Sequence, residues 1–169
     1  GGSPGTYNVT VTLIGQTELA ASVNYSSTAG TATAGNDYNS VAGTLVFSPS
    51  VTSRTFPLTI LGDNVYENDE TVVLRLLNTP VSATLGVPST LTLTLKNDDP
   101  VPTVQFSAAT YVVGENAGTA VVTATLSNPS AFTTQVDWAT ADGSALAGSD
   151  YLTSTGTLSF AALSTTRTF

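Results

Sequence analysis

The chain has 169 residues, a net charge of −8 and only 9% charged side chains, against 41% apolar residues. Its four basic residues, Arg54, Arg75, Lys96 and Arg167, cannot build the positive footprint that nucleic acid or an anionic membrane surface requires. Having neither Cys nor His, it has no disulfides, no thiolate or imidazole metal sites and no Ser-His-Asp triad, so any metal chemistry rests on oxygen donors, which suit hard cations.

β-Branched Thr and Val are abundant and favour strands. Period-two alternation predicts a first strand over TYNVTVTLI, with Tyr7, Val9, Val11 and Leu13 on one face. SVNYSS (22–27), GTLVF (43–47) and RTFPLTIL (54–61) follow, the last with Phe56, Leu58 and Ile60 in phase. ETVVLRLL (70–77) and STLTLTLKN (89–97) come next, and Leu91, Leu93 and Leu95 are expected to point inward. Further strands are predicted over TVQFSAATYVV (103–113), TAVVTATLS (119–127), QVDWATA (135–141) and GTLSF (156–160). No segment has helical periodicity, and no apolar run reaches the length of a membrane span. No signal peptide is visible, and the opening GGSPGT reads as a fusion scar or an internal cut. The acidic, Thr-rich, cysteine-free composition suggests an extracellular or cell-surface protein of bacterial type.

The chain repeats itself. AGNDY (34–38) returns as AGSDY (147–151), GTLVF (43–47) as GTLSF (156–160), and SRTF (53–56) as TRTF (166–169), each pair separated by 113 residues. That period suits a β-sandwich module and is too long for a solenoid. Residues 1–99 are expected to form one sandwich that lacks its first strand, 100–103 a proline-containing linker, and 104–169 the N-terminal part of a second sandwich. Either the chain is part of a longer tandem array, with neighbouring modules as partners, or a neighbouring molecule supplies strands by exchange.

If successive strands are antiparallel, loops alternate between the two ends of the sandwich. The loops carrying Asp37, then Asp63, Glu67, Asp69 and Glu70, and finally Asp98 and Asp99, fall at one pole, whereas the other keeps only Glu18. Like charges so gathered repel by about 1 kcal/mol per pair at 4 Å in water, a cost that a divalent cation would relieve. Plainer readings stand beside this one. Asp98-Asp99 reads equally as a solvated linker, and Asp37 and Asp150 as Asx-turn acceptors. Tyr25 and Trp138 share a repeat position and are expected to pack in the core; a sugar-stacking platform would need a second aromatic. Arg54 and Arg167 read as surface charges at strand starts.

The patterns AGNDYNSVAGTLVF, RTFPLTILGDNVYENDETVVLRL and LTLKNDD in the first repeat resemble the Calx-beta domain family, as does GENAGT with DGSALAGSDY and GTLSF in the second. This resemblance implies an all-β fold, an immunoglobulin-like Greek-key β-sandwich in tandem, with Ca²⁺ bound at one pole. It carries metal ligands onto Asp37, Asp63, Glu67, Glu70, Asp98 and Asp99 in the first repeat, and onto Glu115 and Asp150 in the second. Gly2, Gly62 and Asn97 replace acids of the pattern, which implies one or two weakly bound ions. The implied function is a non-catalytic calcium-binding structural module that stiffens an extracellular array or filament. The alternative is an adhesin-type module for a glycan or protein ligand; a carboxylate-pair glycosidase ranks last, because no aromatic-lined groove is indicated.

Overall fold

The computed structural model describes residues 2–15, 18–77 and 82–169. The chain divides into two compact units, one of Gly1–Asp63 with Asn68–Asp98, the other of Asn64–Glu67 with Asp99–Phe169. Among the described residues every regular element is a β-strand except a single 3-10 turn at Glu115–Ala117.

The first unit contains β1 (Gly5–Thr12), β2 (Ala21–Ala29), β3 (Ala42–Phe47), β4 (Ser53–Ile60), β5 (Glu70–Leu76) and β6 (Thr90–Leu95). β1 and β4 pair in one antiparallel sheet, and the others form a second sheet in the order β3-β2-β5-β6. Alternation sends Val9, Val23, Leu45, Phe47, Phe56, Leu58, Val72 and Leu74 into one buried cluster between the sheets. The threonines between them face outward, so each strand reads as a two-faced ribbon. Leu93 and Leu95 pack against this core as expected, but Leu91 is half-exposed and so is Tyr7. Residues 16–17 and 78–81 lie outside the described residues.

The second unit contains β7 (Val104–Phe106), β8 (Thr123–Leu126), β9 (Thr134–Ala139), β10 (Thr155–Phe160) and β11 (Thr166–Thr168). They form sheets in the orders β11-β8-β7 and β10-β9, around Ala124, Leu126, Leu158 and Phe160. The long strand expected over 103–113 is only three residues long. Further along, the Tyr111 hydroxyl takes the place of a ladder partner. It accepts from the Thr123 N–H and donates to the Thr123 carbonyl, both at 3.2 Å.

The repeat is visible in the packing. Tyr25 stacks on Phe56 at 3.9 Å, and Trp138 lies against Phe169 at 4.1 Å with the rings tilted by 32°, the same pair of positions in each unit. Each ring lies over a paired glycine: a Cβ at Gly43 would meet Tyr25 Oη at 2.8 Å, and one at Gly156 would meet Trp138 Nε1 at 3.0 Å. Arg54 and Arg167 do more than carry surface charge. The Nε of each donates a 2.8 Å hydrogen bond to a carbonyl of the other sheet, that of Val46 and that of Ser159 respectively, clipping the two layers together.

Leu58 is fully buried in the first core. Leu58→Ala is expected to destabilise the first unit by about 2–5 kcal/mol, whereas Thr10→Ala, on an exposed site, should stay within about 0.5 kcal/mol. Urea unfolding of the two variants measures the difference.

Candidate metal centre

The acidic pole begins with a turn that the sequence repeats. Gly35 has φ of +92° and Gly148 φ of +85°, a left-handed conformation that glycine adopts freely. In the first repeat the Gly35 N–H donates to the Tyr38 carbonyl at 2.8 Å, and in the second the Gly148 N–H donates to the Tyr151 carbonyl at 2.8 Å. The aspartate of each motif caps its own turn. Asp37 Oδ2 accepts from the Thr33 N–H at 2.6 Å, and Asp150 Oδ2 accepts from the Leu146 N–H at 2.8 Å. The Asx-type reading therefore holds for one oxygen of each carboxylate. Tyr38, almost wholly buried, anchors the first turn to the core.

Main-chain hydrogen bonds then draw loops together. The Leu61 N–H donates to the Asp37 carbonyl at 2.9 Å, and the Asn39 N–H to the Thr59 carbonyl at 3.0 Å. The N–H groups of Gly30 and Ala32 donate to the Thr71 carbonyl at 3.1 and 3.0 Å. The result is one convergence of acids among the described residues: carboxylate oxygens of Asp37, Glu67 and Glu70 lie within 4.8 Å of one another, all three side chains half-buried. Glu67 and Glu70 come from the same acidic loop, and Asp37 from the turn beside it.

The other residues expected at the pole are placed differently. Asp69 is turned away from the group: Lys96 Nζ binds its Oδ2, and the Asn97 N–H donates to its Oδ1 at 3.0 Å. Asp98 lies over Gly2, 3.5 Å from where a Cβ of Gly2 would stand. Asp63 is exposed, and Asp99 is half-buried with its Oδ1 shut off from solvent. In the second unit Glu115 is exposed within the 3-10 turn, and Asp150 is exposed at its own turn. Asp142 accepts from the Tyr151 hydroxyl at 2.6 Å and the Ala147 N–H at 2.9 Å. Its carboxyl is thereby held below the usual aspartate value, and the Tyr151 phenol is raised.

A main-chain contact limits the pole on one side. A Cβ at Gly62 would fall 2.3 Å from the Gly2 carbonyl oxygen, so the backbone of Gly2 occupies the space a side chain at 62 would need. The sequence showed that both positions lack acids; the structure adds that they pack on each other.

The donor set fits a hard cation. It is all oxygen, carries three negative charges, and is compact enough for one ion, since bonds of 2.3–2.6 Å span oxygens up to about 5 Å apart.

A model of the Calx-beta domain family matches residues 3–99 and again 96–169. The sodium/calcium exchanger Calx of Drosophila melanogaster is 32% identical over 114 residues, 68% of this chain and 12% of that protein. Sodium/calcium exchanger 2 of Rattus norvegicus is 31% identical over 75% of the chain, and sodium/calcium exchanger 1 of Canis lupus familiaris 30% identical over 82%. The chain thus spans between 12% and 16% of the length of these exchangers. Among solved structures, the calcium-binding domain CBD12 of CALX1.1 aligns with a TM-score of 0.56 and 27% identity, over 98% of this chain and 67% of that one. The apo-form Calx CBD1 domain aligns with a TM-score of 0.54 and 36% identity, over 56% of this chain and 84% of that one. These relatives overturn the expected extracellular or cell-surface location, since exchangers of this kind carry their Calx-beta domains on the cytoplasmic side of the membrane. A low charge content and an absence of cysteine describe the surface and chemistry of the chain, not the compartment it occupies.

The Asp69 carboxyl sits below its ordinary value because Lys96 and the Asn97 N–H bind its charged form. A depressed folded-state value means that its contribution to stability is present above the unfolded carboxylate value and is lost as pH falls through the folded one. In Lys96→Met the Asp69 titration midpoint, followed by carboxyl ¹³C NMR, should rise toward that of an ordinary aspartate.

Proposed function

The chain belongs to the Calx-beta domain family, and from that premise we propose that its first repeat is a calcium-binding, non-catalytic regulatory module. The observation that carries this reading is the meeting of Asp37, Glu67 and Glu70 within 4.8 Å. These three would hold the ion, with Asp37 contributing the oxygen not engaged by Thr33. Bound Ca²⁺ supplies charge neutralisation and no chemistry of bond making. Without it, three half-buried carboxylates repel one another by about 1 kcal/mol per pair or more. With it, the loop from Leu61 to Glu70 and the Asp37 turn are held by a common centre, so occupancy changes the stiffness of this end of the module. Asp63, Asp98 and Asp99 serve as outlying negative charges that draw the cation in. In the second repeat Asp150 holds the position of Asp37, and Glu115 that of Gly2, which brings no carboxylate.

The relatives point to a role in a larger membrane protein in which calcium binding to the module is the signal and ion exchange the response. Affinity of about 10⁻⁴–10⁻³ M is in keeping with three carboxylates in irregular loops.

At 100 times the dissociation constant, calcium should stabilise the folded chain by about 2.7 kcal/mol through mass action. Differential scanning calorimetry with and without calcium reads this as a rise in Tm, and no rise at several millimolar calcium would sink the proposal. Asp37→Asn and Glu70→Gln should each weaken calcium binding at least tenfold by isothermal titration. Asp69→Asn, whose native carboxylate is engaged by Lys96, should change it less than threefold.

A further inference from the structure

β3 stands at the end of its sheet, and among the described residues no strand pairs with its far edge. The Ser27 N–H donates to the Val41 carbonyl at 2.8 Å, in register with the β2–β3 ladder, so these two form a hydrogen-bonded pair. Alternation along an antiparallel ladder then turns the main-chain groups of Ala42, Thr44 and Val46 outward, away from β2. The strand reads AGTLVF, and no charged residue stands between Asp37 and Arg54. An uncharged edge of this composition is a template for another strand. Arg54 occupies it. The arginine keeps the inward phase of Phe56 and Leu58 but precedes the first buried position of β4, so its side chain crosses the margin between the layers. Its Nε donates to the outward Val46 carbonyl at 2.8 Å.

The second unit repeats the arrangement on β10. The Thr140 N–H donates to the Ser154 carbonyl, the same alternation turns the Ser159 carbonyl outward, and Arg167 Nε reaches it at 2.8 Å. The acceptor side chain changes from Val46 to Ser159, while the arginine and the main-chain acceptor stay. Two of the chain's four basic residues thus stand at this one repeat position. We propose that Arg54 and Arg167 are edge guards, which keep the open edges of β3 and β10 from pairing with the same edge of a second copy of this chain. An incoming strand would need the carbonyl that the guanidinium already holds, and would have to displace a charged group to reach it. The net charge of −8 repels copies at long range, but physiological salt screens it beyond about 8 Å. A neutral edge therefore needs a barrier of its own. This role stands apart from calcium binding.

The test uses the whole chain and Arg54→Met, which keeps most of the aliphatic stem and removes the donor and the charge. Light scattering behind size exclusion should show the variant's mass rising with concentration above that of the unsubstituted chain, at unchanged circular dichroism. Adding Thr44→Pro, at a position whose N–H faces outward, should block the edge without breaking the β2–β3 ladder and return the mass to that of the unsubstituted chain. Arg167→Met, reversed by Thr157→Pro, repeats the experiment on β10, so that unfolding of one variant leaves the other to decide. A folded variant that loses stability to urea yet gains no mass makes the arginine a clip between layers only, and overturns the guard. Added association that survives the proline overturns the strand edge as its route.

Discussion

Three carboxylates held within 4.8 Å are an electrostatic load that the surrounding loops and strands must carry. Repulsion among Glu67, Glu70 and Asp37 drives them apart. The opposing force comes from elsewhere. Tyr38 is buried one residue from Asp37, the Asp37 carbonyl receives the Leu61 N–H, and Thr71, next to Glu70, is tied through its main chain to Gly30 and Ala32. Hydrophobic burial of Phe56, Leu58, Val72 and Leu74 fixes the strands from which these loops spring. Apolar packing thus sets the positions of the charges, and the charges set the demand for a cation.

The fold was legible because alternation is strict where a strand has one wet face. Phe56 and Leu58 were put in phase by period alone, and both are buried. Prediction was weakest at edges, where one-sided burial gives way. Leu91 and Tyr7 keep the inward phase yet remain half-exposed. The segment 103–113 has strong β propensity along its whole length, but the Tyr111 hydroxyl competes for the Thr123 main chain and the strand stops at Phe106. Propensity does not encode that competition.

At the acidic pole, antiparallel connectivity was enough to say which loops share an end, but not which oxygens meet. Asp69 and Glu70 are adjacent in sequence and point opposite ways, as neighbours on a strand must. Glu70 joins Asp37 and Glu67, while Asp69 faces Lys96. The alternation that was used to sort apolar residues would have separated these two acids, since Glu70 opens β5 and Asp69 stands just before it. Likewise the two arginines looked like surface charge because their carbonyl acceptors lie in the other sheet, and only the stacked layers bring Val46 to Arg54.

The contact between Gly62 and Gly2 bears on how this site can change over generations. Any side chain at 62 must first dislodge the Gly2 carbonyl, 2.3 Å from where its Cβ would sit. A single codon change toward an acid there adds charge only after the neighbouring segment has been rerouted, so an intermediate would lose packing before it acquired a ligand. Adaptation toward tighter cation capture is thereby steered to other positions or to paired substitutions, and the order in which such changes accumulate is set by a backbone that occupies the vacant corner.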